Sequence, residues 1–158
     1  MSYKVVIVES PAKCSKIESF LGPGYKCIAS YGHIQQLKDL KHINMDNNFE
    51  PSFTIIDAKK NQISKIRNVL RNASEMILAT DDDREGEAIA WHICQVFNKP
   101  VHITPRIIFH EITKPAIQAA VANPTIINMD IVHAQQARQI LDLLVGYKLS
   151  PILSIYWP

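Results

Sequence analysis

Met76 to Ala79 is a short apolar run, and it leads straight into Thr80-Asp81-Asp82-Asp83-Arg84-Glu85-Gly86-Glu87, five carboxylates set against one arginine. The chain then turns apolar again at helical spacing. A run this short, bounded by polar residues, predicts a buried strand, while Ile89, Ala90 and Ile93 predict a helix from Gly86 onward. The acids therefore stand where a strand hands over to a helix, which is where open α/β sheets bind ligands. In an extended segment Asp81, Asp83 and Glu85 would point to one side and Asp82 to the other. So many like charges call for a cation. Three convergent oxygens suit a hard one, magnesium first.

Two plainer readings compete. Carboxylates are common in the first turn of a solvated helix, where the macrodipole favours them. Asp81, Asp83, Glu85 and Gly86 also mimic the opening of an EF-hand loop, but His92 stands where the bidentate glutamate is needed, and the incoming element reads as a strand. A second element favours the metal reading over both. Tyr3 to Val8 predicts another buried strand, ending on Glu9, with Ser10 suited to an N-cap and Pro11 to the first helical position. Ile17, Phe20 and Leu21 continue that helix until Gly22 and Pro23 stop it. If the two strands are neighbours in one parallel sheet, Glu9 faces the acidic triad. Like charges raise a carboxyl pKa, so Glu9 is a candidate general acid. Lys13 either opposes that shift or meets a phosphate.

Five blocks in order along the chain carry a resemblance to a family. They are Val6-Ile-Val-Glu9-Ser-Pro-Ala-Lys13, Ser30-Tyr-Gly-His33-Ile, Ala79 to His92 around the acids, Arg106-Ile-Ile-Phe-His-Glu111-Ile-Thr, and Ala134-Gln-Gln-Ala-Arg138 continuing through Asp142 to Pro151. The chain resembles the amino-terminal Toprim domain of the type IA DNA topoisomerases. The resemblance implies a Toprim, Rossmann-like α/β fold, a roughly four-stranded parallel sheet with helices on both faces. It implies that Asp81, Asp83 and Glu85 hold Mg2+, that Glu9 moves a proton at the 3′ oxygen of the scissile phosphodiester, and that Lys13 steadies the phosphate. Arg84 either contacts phosphate or buffers the acids. His33 falls near the cleavage site, and Arg138 and Asp142 face it, one on a DNA phosphate and one orienting a nucleotide. From spacing alone, Arg138 and Asp142 read first as a simple intrahelical ion pair worth about 0.2–0.5 kcal/mol.

The activity so implied is ATP-independent relaxation of negatively supercoiled DNA by transient cleavage of one strand and a 5′-phosphotyrosyl link. The tyrosine block that performs the attack in this family is absent. Tyr3, Tyr25, Tyr31, Tyr147 and Tyr156 all lie in other contexts. The expectation is a fragment, residues 1–124 forming the Toprim domain and 125–158 beginning an adjoining helical domain, inactive in cleavage without the remaining domains of the polypeptide. A stand-alone Toprim nuclease or primase-like enzyme, and a non-catalytic magnesium-binding module, are the alternatives.

The remaining features add limits. The 158 residues are 47% hydrophobic, enough for one core. Net charge is +4 over residues 1–79 and −2 over 80–158, too mild to demand nucleic acid by itself. Lys59, Lys60, Lys65, Arg67 and Arg71 fit the solvated face of a helix built on Ile63, Ile66, Val69 and Leu70. Ala134 to Val145 form an apolar stripe that Gly146 is expected to end. Lys38 to Ser52 reads as a long loop before a strand at Phe53 to Ile56. His110 and Glu111 make no zinc motif, since Lys114 stands where the second histidine belongs. Cys14, Cys27 and Cys94 include no pair close in sequence, which predicts reduced thiols. No run approaches the ~20 apolar residues of a membrane span and no signal peptide precedes the first strand, so a soluble, cytoplasmic protein is expected.

Overall fold

A computed structural model describes residues 2–37, 43–44 and 50–156. Its centre is a parallel sheet in the order β2-β1-β7, with β1 at Tyr3–Val8, β2 at Tyr25–Ala29 and β7 at Ala73–Leu78. Val6 lies opposite Cys27 on one side and Ile77 on the other. The acidic run and Glu9 thus leave adjacent strands on the same carboxyl edge.

The fourth sheet position is filled by a bridge and not by a strand. Ile107 N donates to Leu78 O at 2.8 Å, Leu78 N donates to Pro105 O at 2.9 Å, and Arg106 in turn pairs with Thr125. Pro105 lacks the N–H that would extend the ladder backwards.

Alternation along the strands supplies two cores. Val6, Val8, Ile77 and Ala79 pack with Ile17 of α1 (Cys14–Leu21) and Ile117 and Ala120 of α4 (Lys114–Ala122). Val5, Ile7, Met76 and Leu78 pack with Ile63 and Ile66 of α2 (Lys60–Leu70), Ile89 and Ile93 of α3 (Arg84–Val96), and Val132 of α5 (Met129–Tyr156). Helices therefore cover both faces, as a parallel sheet requires. Lys65 and Arg67 are exposed, so the basic face of α2 is solvated.

Local signals fix the element ends. Ser10 Oγ accepts from the Ala12 N–H and Pro11 leads, but they open a 3-10 turn, Pro11–Lys13, before α1 begins. Gly22, at φ 89°, ends α1. The helix that follows the acids begins earlier than expected, at Arg84, because Asp83 caps it through a 2.6 Å bond from the Gly86 N–H. Glu85 consequently sits in a helical turn, and the period-two arrangement of the triad does not hold. Neither does the stop at Gly146. The glycine has no left-handed backbone, and α5 continues through it to Tyr156.

A small antiparallel layer follows β2. β3 (Gln35–Gln36) pairs with β6 (Thr54–Ile55), and β4 (Ile43–Asn44) pairs with β5 (Glu50–Pro51). The long loop expected from Lys38 to Ser52 thus contains a short ladder; its residues 38–42 and 45–49 lie outside the described residues. No described helix is long and apolar enough to cross a membrane.

Candidate active site

Two carboxyl strand ends and one turn build the site. β2 runs on beside β1 as Ser30 N donates to Val8 O and Tyr31 N to Glu9 O, at 2.8 and 2.9 Å. Tyr31 and Gly32 then take left-handed backbones at φ 59° and 88°, a reversal that swings His33 back over the edge. A non-glycine residue pays about 1–3 kcal/mol for that conformation, and such strain gathers at functional sites. Lys59 holds the turn by donating to Tyr31 O.

Glu9 Oε1 accepts from the Asp81 N–H at 2.7 Å. Burial raises the Glu9 pKa most. The Asp81 N–H pulls it back, the Asp81 and Asp83 carboxylates push it up again, and His33 lowers it. The like-charge effect expected from sequence is real but second to desolvation. Lys13 Nζ stands 3.6 Å from Asp81 Oδ1. His33 Nε2 meets Glu85 Oε2 at 2.6 Å, and Gln135 Nε2 of α5 approaches Glu85 Oε1 at 3.5 Å.

Arg84 and Glu85 open onto a cavity of about 330 Å³ shared with Gln135, Arg138, Gln139 and Asp142. Among the described residues Arg138 and Asp142 form no ion pair. Both line the cavity instead, so α5 carries its polar face to the acids. The amide oxygens of Gln135 and Gln139 are buried without a hydrogen-bond partner among the described residues. Buried acceptors of this kind call for a donor.

The acids supply the hard oxygen donors that a divalent cation takes, exposed on one turn. Yet no three acidic, histidine or cysteine side chains among the described residues are grouped closely enough to hold one. Asp83 is engaged as a helix cap, Asp81 with Lys13 and Glu85 with His33. All three carboxylates are exposed and only lightly held, Glu85 by Gln135 as well as by His33, so the donor chemistry fits a divalent cation.

Beneath the turn lies a network that sequence reasoning missed. Arg106, fully buried, donates from Nε to Glu87 Oε1 at 2.9 Å, from Nη1 to Thr80 O and Oγ1 at 3.0 and 2.7 Å, and from Nη2 to Asp81 O at 2.9 Å. Glu87 Oε2 accepts from the Asn128 N–H at 3.0 Å. Thr80 Oγ1 donates to Gly86 O at 2.7 Å, and a Cβ on Gly86 would lie 1.8 Å from Asp81 O. The acids are thus exposed on a turn whose backbone is tied from below. The available signal was a lone arginine opening the apolar run Ile107-Ile108-Phe109, since a charge there needs a buried partner. Further out, His110 stands 3.6 Å from Asp82.

A strand-to-helix turn rich in acids beside a strand ending in Glu9, at the carboxyl edge of a parallel sheet, is the architecture of a Toprim domain. Residues 4–112 match the family model of the Toprim domain, and the chain belongs to that family. It is 46% identical to "DNA topoisomerase 1" of Streptomyces coelicolor, covering 95% of this chain and 17% of that protein. Against "DNA topoisomerase 1" of Campylobacter jejuni it is 48% identical over 97% of this chain and 22% of that protein. The solved full-length topoisomerase I of Thermotoga maritima superposes with a TM-score of 0.85 at 46% identity, covering 94% of this chain and 26% of that one. The chain therefore spans about a fifth of the length of the curated relatives it matches.

Proposed function

We propose that this chain is the metal-binding, cleavage and religation part of a type IA DNA topoisomerase, an ATP-independent enzyme that relaxes negatively supercoiled DNA through a 5′-phosphotyrosyl link. The observation that carries the reading is the gathering of Glu9, Lys13, His33, Asp81, Glu85, Arg84, Arg138 and Asp142 on one edge, from four separate stretches of a chain that is 46–48% identical to topoisomerases. The nucleophilic tyrosine belongs to the remaining domains of the same polypeptide. The protein works where its DNA is, in the cytoplasm.

The roles follow from environment. Glu9, its pKa raised by burial, holds a proton nearer neutral pH than an ordinary carboxyl and delivers it to the leaving 3′ oxygen. Lys13 swings from Asp81 to the scissile phosphate. Asp81, Asp83 and Glu85 hold Mg2+, which when bound neutralises charge developing at the phosphate. His33 fixes Glu85. Arg84 and Arg138 grip the backbone of a single-stranded segment, while Asp142 and the unpartnered amide oxygens of Gln135 and Gln139 read a nucleotide in the cavity.

Magnesium-dependent plasmid relaxation by this chain alone, and again with the downstream region of its open reading frame attached, tests the reading. Relaxation and a 5′-phosphotyrosyl adduct are expected from the extended protein only. Nicking or degradation of DNA by the short chain would identify a self-sufficient Toprim nuclease instead, and failure to bind either DNA or any cation would leave a non-catalytic module.

A further inference from the structure

Tyr3, Trp91 and Phe97 pack against one core of the sheet, and Phe20, Tyr25 and Phe109 against the other. Tyr31 packs against neither. It is 50% exposed, the one exposed Phe, Tyr or Trp among the described residues. Its backbone makes this choice of residue costly. At φ 59° it takes a left-handed conformation that glycine or asparagine adopts with less strain and that a bulky side chain seldom does. Two backbone contacts hold it there: the Tyr31 N–H donates to Glu9 O at 2.9 Å, and Lys59 Nζ donates to the Tyr31 carbonyl. Neither contact needs the ring, so a smaller residue would complete the turn as well. The ring itself has Lys59 Nζ 5.8 Å from its centre.

We propose that Tyr31 is a stacking platform for one base of single-stranded DNA, the base adjoining the phosphate that Glu9 and Lys13 address; the proposal rests on the topoisomerase reading above. The backbone fixes the place. Tyr31 N sits on the carbonyl of Glu9, so the ring leaves the chain beside the candidate acid, and His33, two residues on, meets Glu85. A strand cut one at a time is unpaired at this edge, and each of its bases carries an apolar face. A flat exposed ring takes such a face without hydrogen bonds, so it accepts any of the four bases. The strained turn adds to this by fixing the ring before the strand arrives, which lowers the ordering cost of binding. Lys13, Arg84 and Arg138 supply charge for the phosphates, and Tyr31 supplies the uncharged contact that they lack.

The test is the affinity of the 158-residue chain for a labelled single-stranded oligonucleotide, measured by anisotropy at low salt beside a strand of equal length built of abasic deoxyribose phosphates. Tyr31→Asn, which suits the left-handed backbone, is expected to weaken binding to the base-bearing strand by about 5- to 150-fold and to leave binding to the abasic strand unchanged. Its slope of affinity against salt should also stay as it was, because no charge is removed. Tyr31→Phe keeps the ring and should restore the affinity. Equal affinity of Tyr31→Asn and the unaltered chain for the base-bearing strand, or an equal loss on both strands, would overturn the proposal and leave the topoisomerase reading in place. No binding of either strand by the unaltered chain would overturn that reading itself, and the platform with it.

Discussion

Glu9 and Gly86 show how single residues set the chemistry and the geometry of the acidic edge. Glu9 accepts one backbone N–H and lies half-buried among acids, so the neutral form is favoured by its surroundings. Glu9→Gln keeps the shape and the bond from Asp81 N but moves no proton. In the complete enzyme it is expected to lower the cleavage rate by about 10²–10⁴-fold, with thermal unfolding of the domain unchanged. A cleavage assay beside a melting curve decides, since loss of folding would make Glu9 structural. Gly86 sits in the first turn of α3, where alanine normally gains about 1 kcal/mol over glycine. Here the added Cβ meets Asp81 O at 1.8 Å, and that carbonyl is pinned by Arg106. Overpacking against a fixed backbone costs typically about 1–3 kcal/mol and occasionally more, so the clash wins and Gly86→Ala is destabilising in urea unfolding.

Between elements, the Arg106–Glu87 pair ties the acidic turn to the bridge at residues 105–107 and to the start of the chain leading into α5. Removing one partner of a buried pair leaves an unpaired charge and costs about 3–5 kcal/mol. Arg106→Met should therefore unfold at much lower urea, and adding Glu87→Gln should restore part of the loss; equal effects of the single and double variants would refute the coupling. α3 carries a second buried group, His92, whose Nδ1 lies 2.9 Å from Gln35 Oε1. Burial lowers its pKa to about 3, helped by His33. The unfolded chain binds a proton near the ordinary value of 6.5 while the folded chain does not, so this contribution is full above about pH 6.5 and is lost as pH falls towards about 3. Melting temperature against pH should show that limb, and His92→Phe should flatten it. Strands, caps and the order of the blocks were legible in the sequence because they rest on neighbours and on local periodicity. Gly22 marks the end of α1 in this way, Ser10 and Pro11 mark the 3-10 turn ahead of it, and Val5 to Val8 mark β1. What was not legible depends on distant partners. Nothing local shows Arg106 reaching back nineteen residues to Glu87. The capping role of Asp83 depends on where α3 begins, which the acidic run alone does not show. Gly146 read as a stop because its composition suits one, although the helix continues through it.

Across the whole molecule, the cations Lys13, Arg84 and Arg138 come from three different elements, the turn after β1, the start of α3 and the middle of α5, and gather around one acidic turn. The net charge of +2 is too small to draw DNA by itself, so affinity must come from this local arrangement. Each phosphate neutralised on a single strand contributes a slope of about −0.7 to log affinity against log salt, so three contacts give about −2. Anisotropy of a labelled single-stranded oligonucleotide with this chain, at fixed magnesium and rising potassium chloride, measures that slope. Arg138→Ala should reduce it by about one contact while leaving thermal stability intact, because Arg138 is exposed and makes no ion pair among the described residues. The solvated lysines and arginines of α2 provide the control. Lys65→Ala lies on the far side of that helix from its buried Ile63 and Ile66 and should leave the slope unchanged. An unaltered slope in Arg138→Ala, or an equal fall in Lys65→Ala, would show that DNA is held by diffuse surface charge and that the cavity lined by α3 and α5 plays no part in binding.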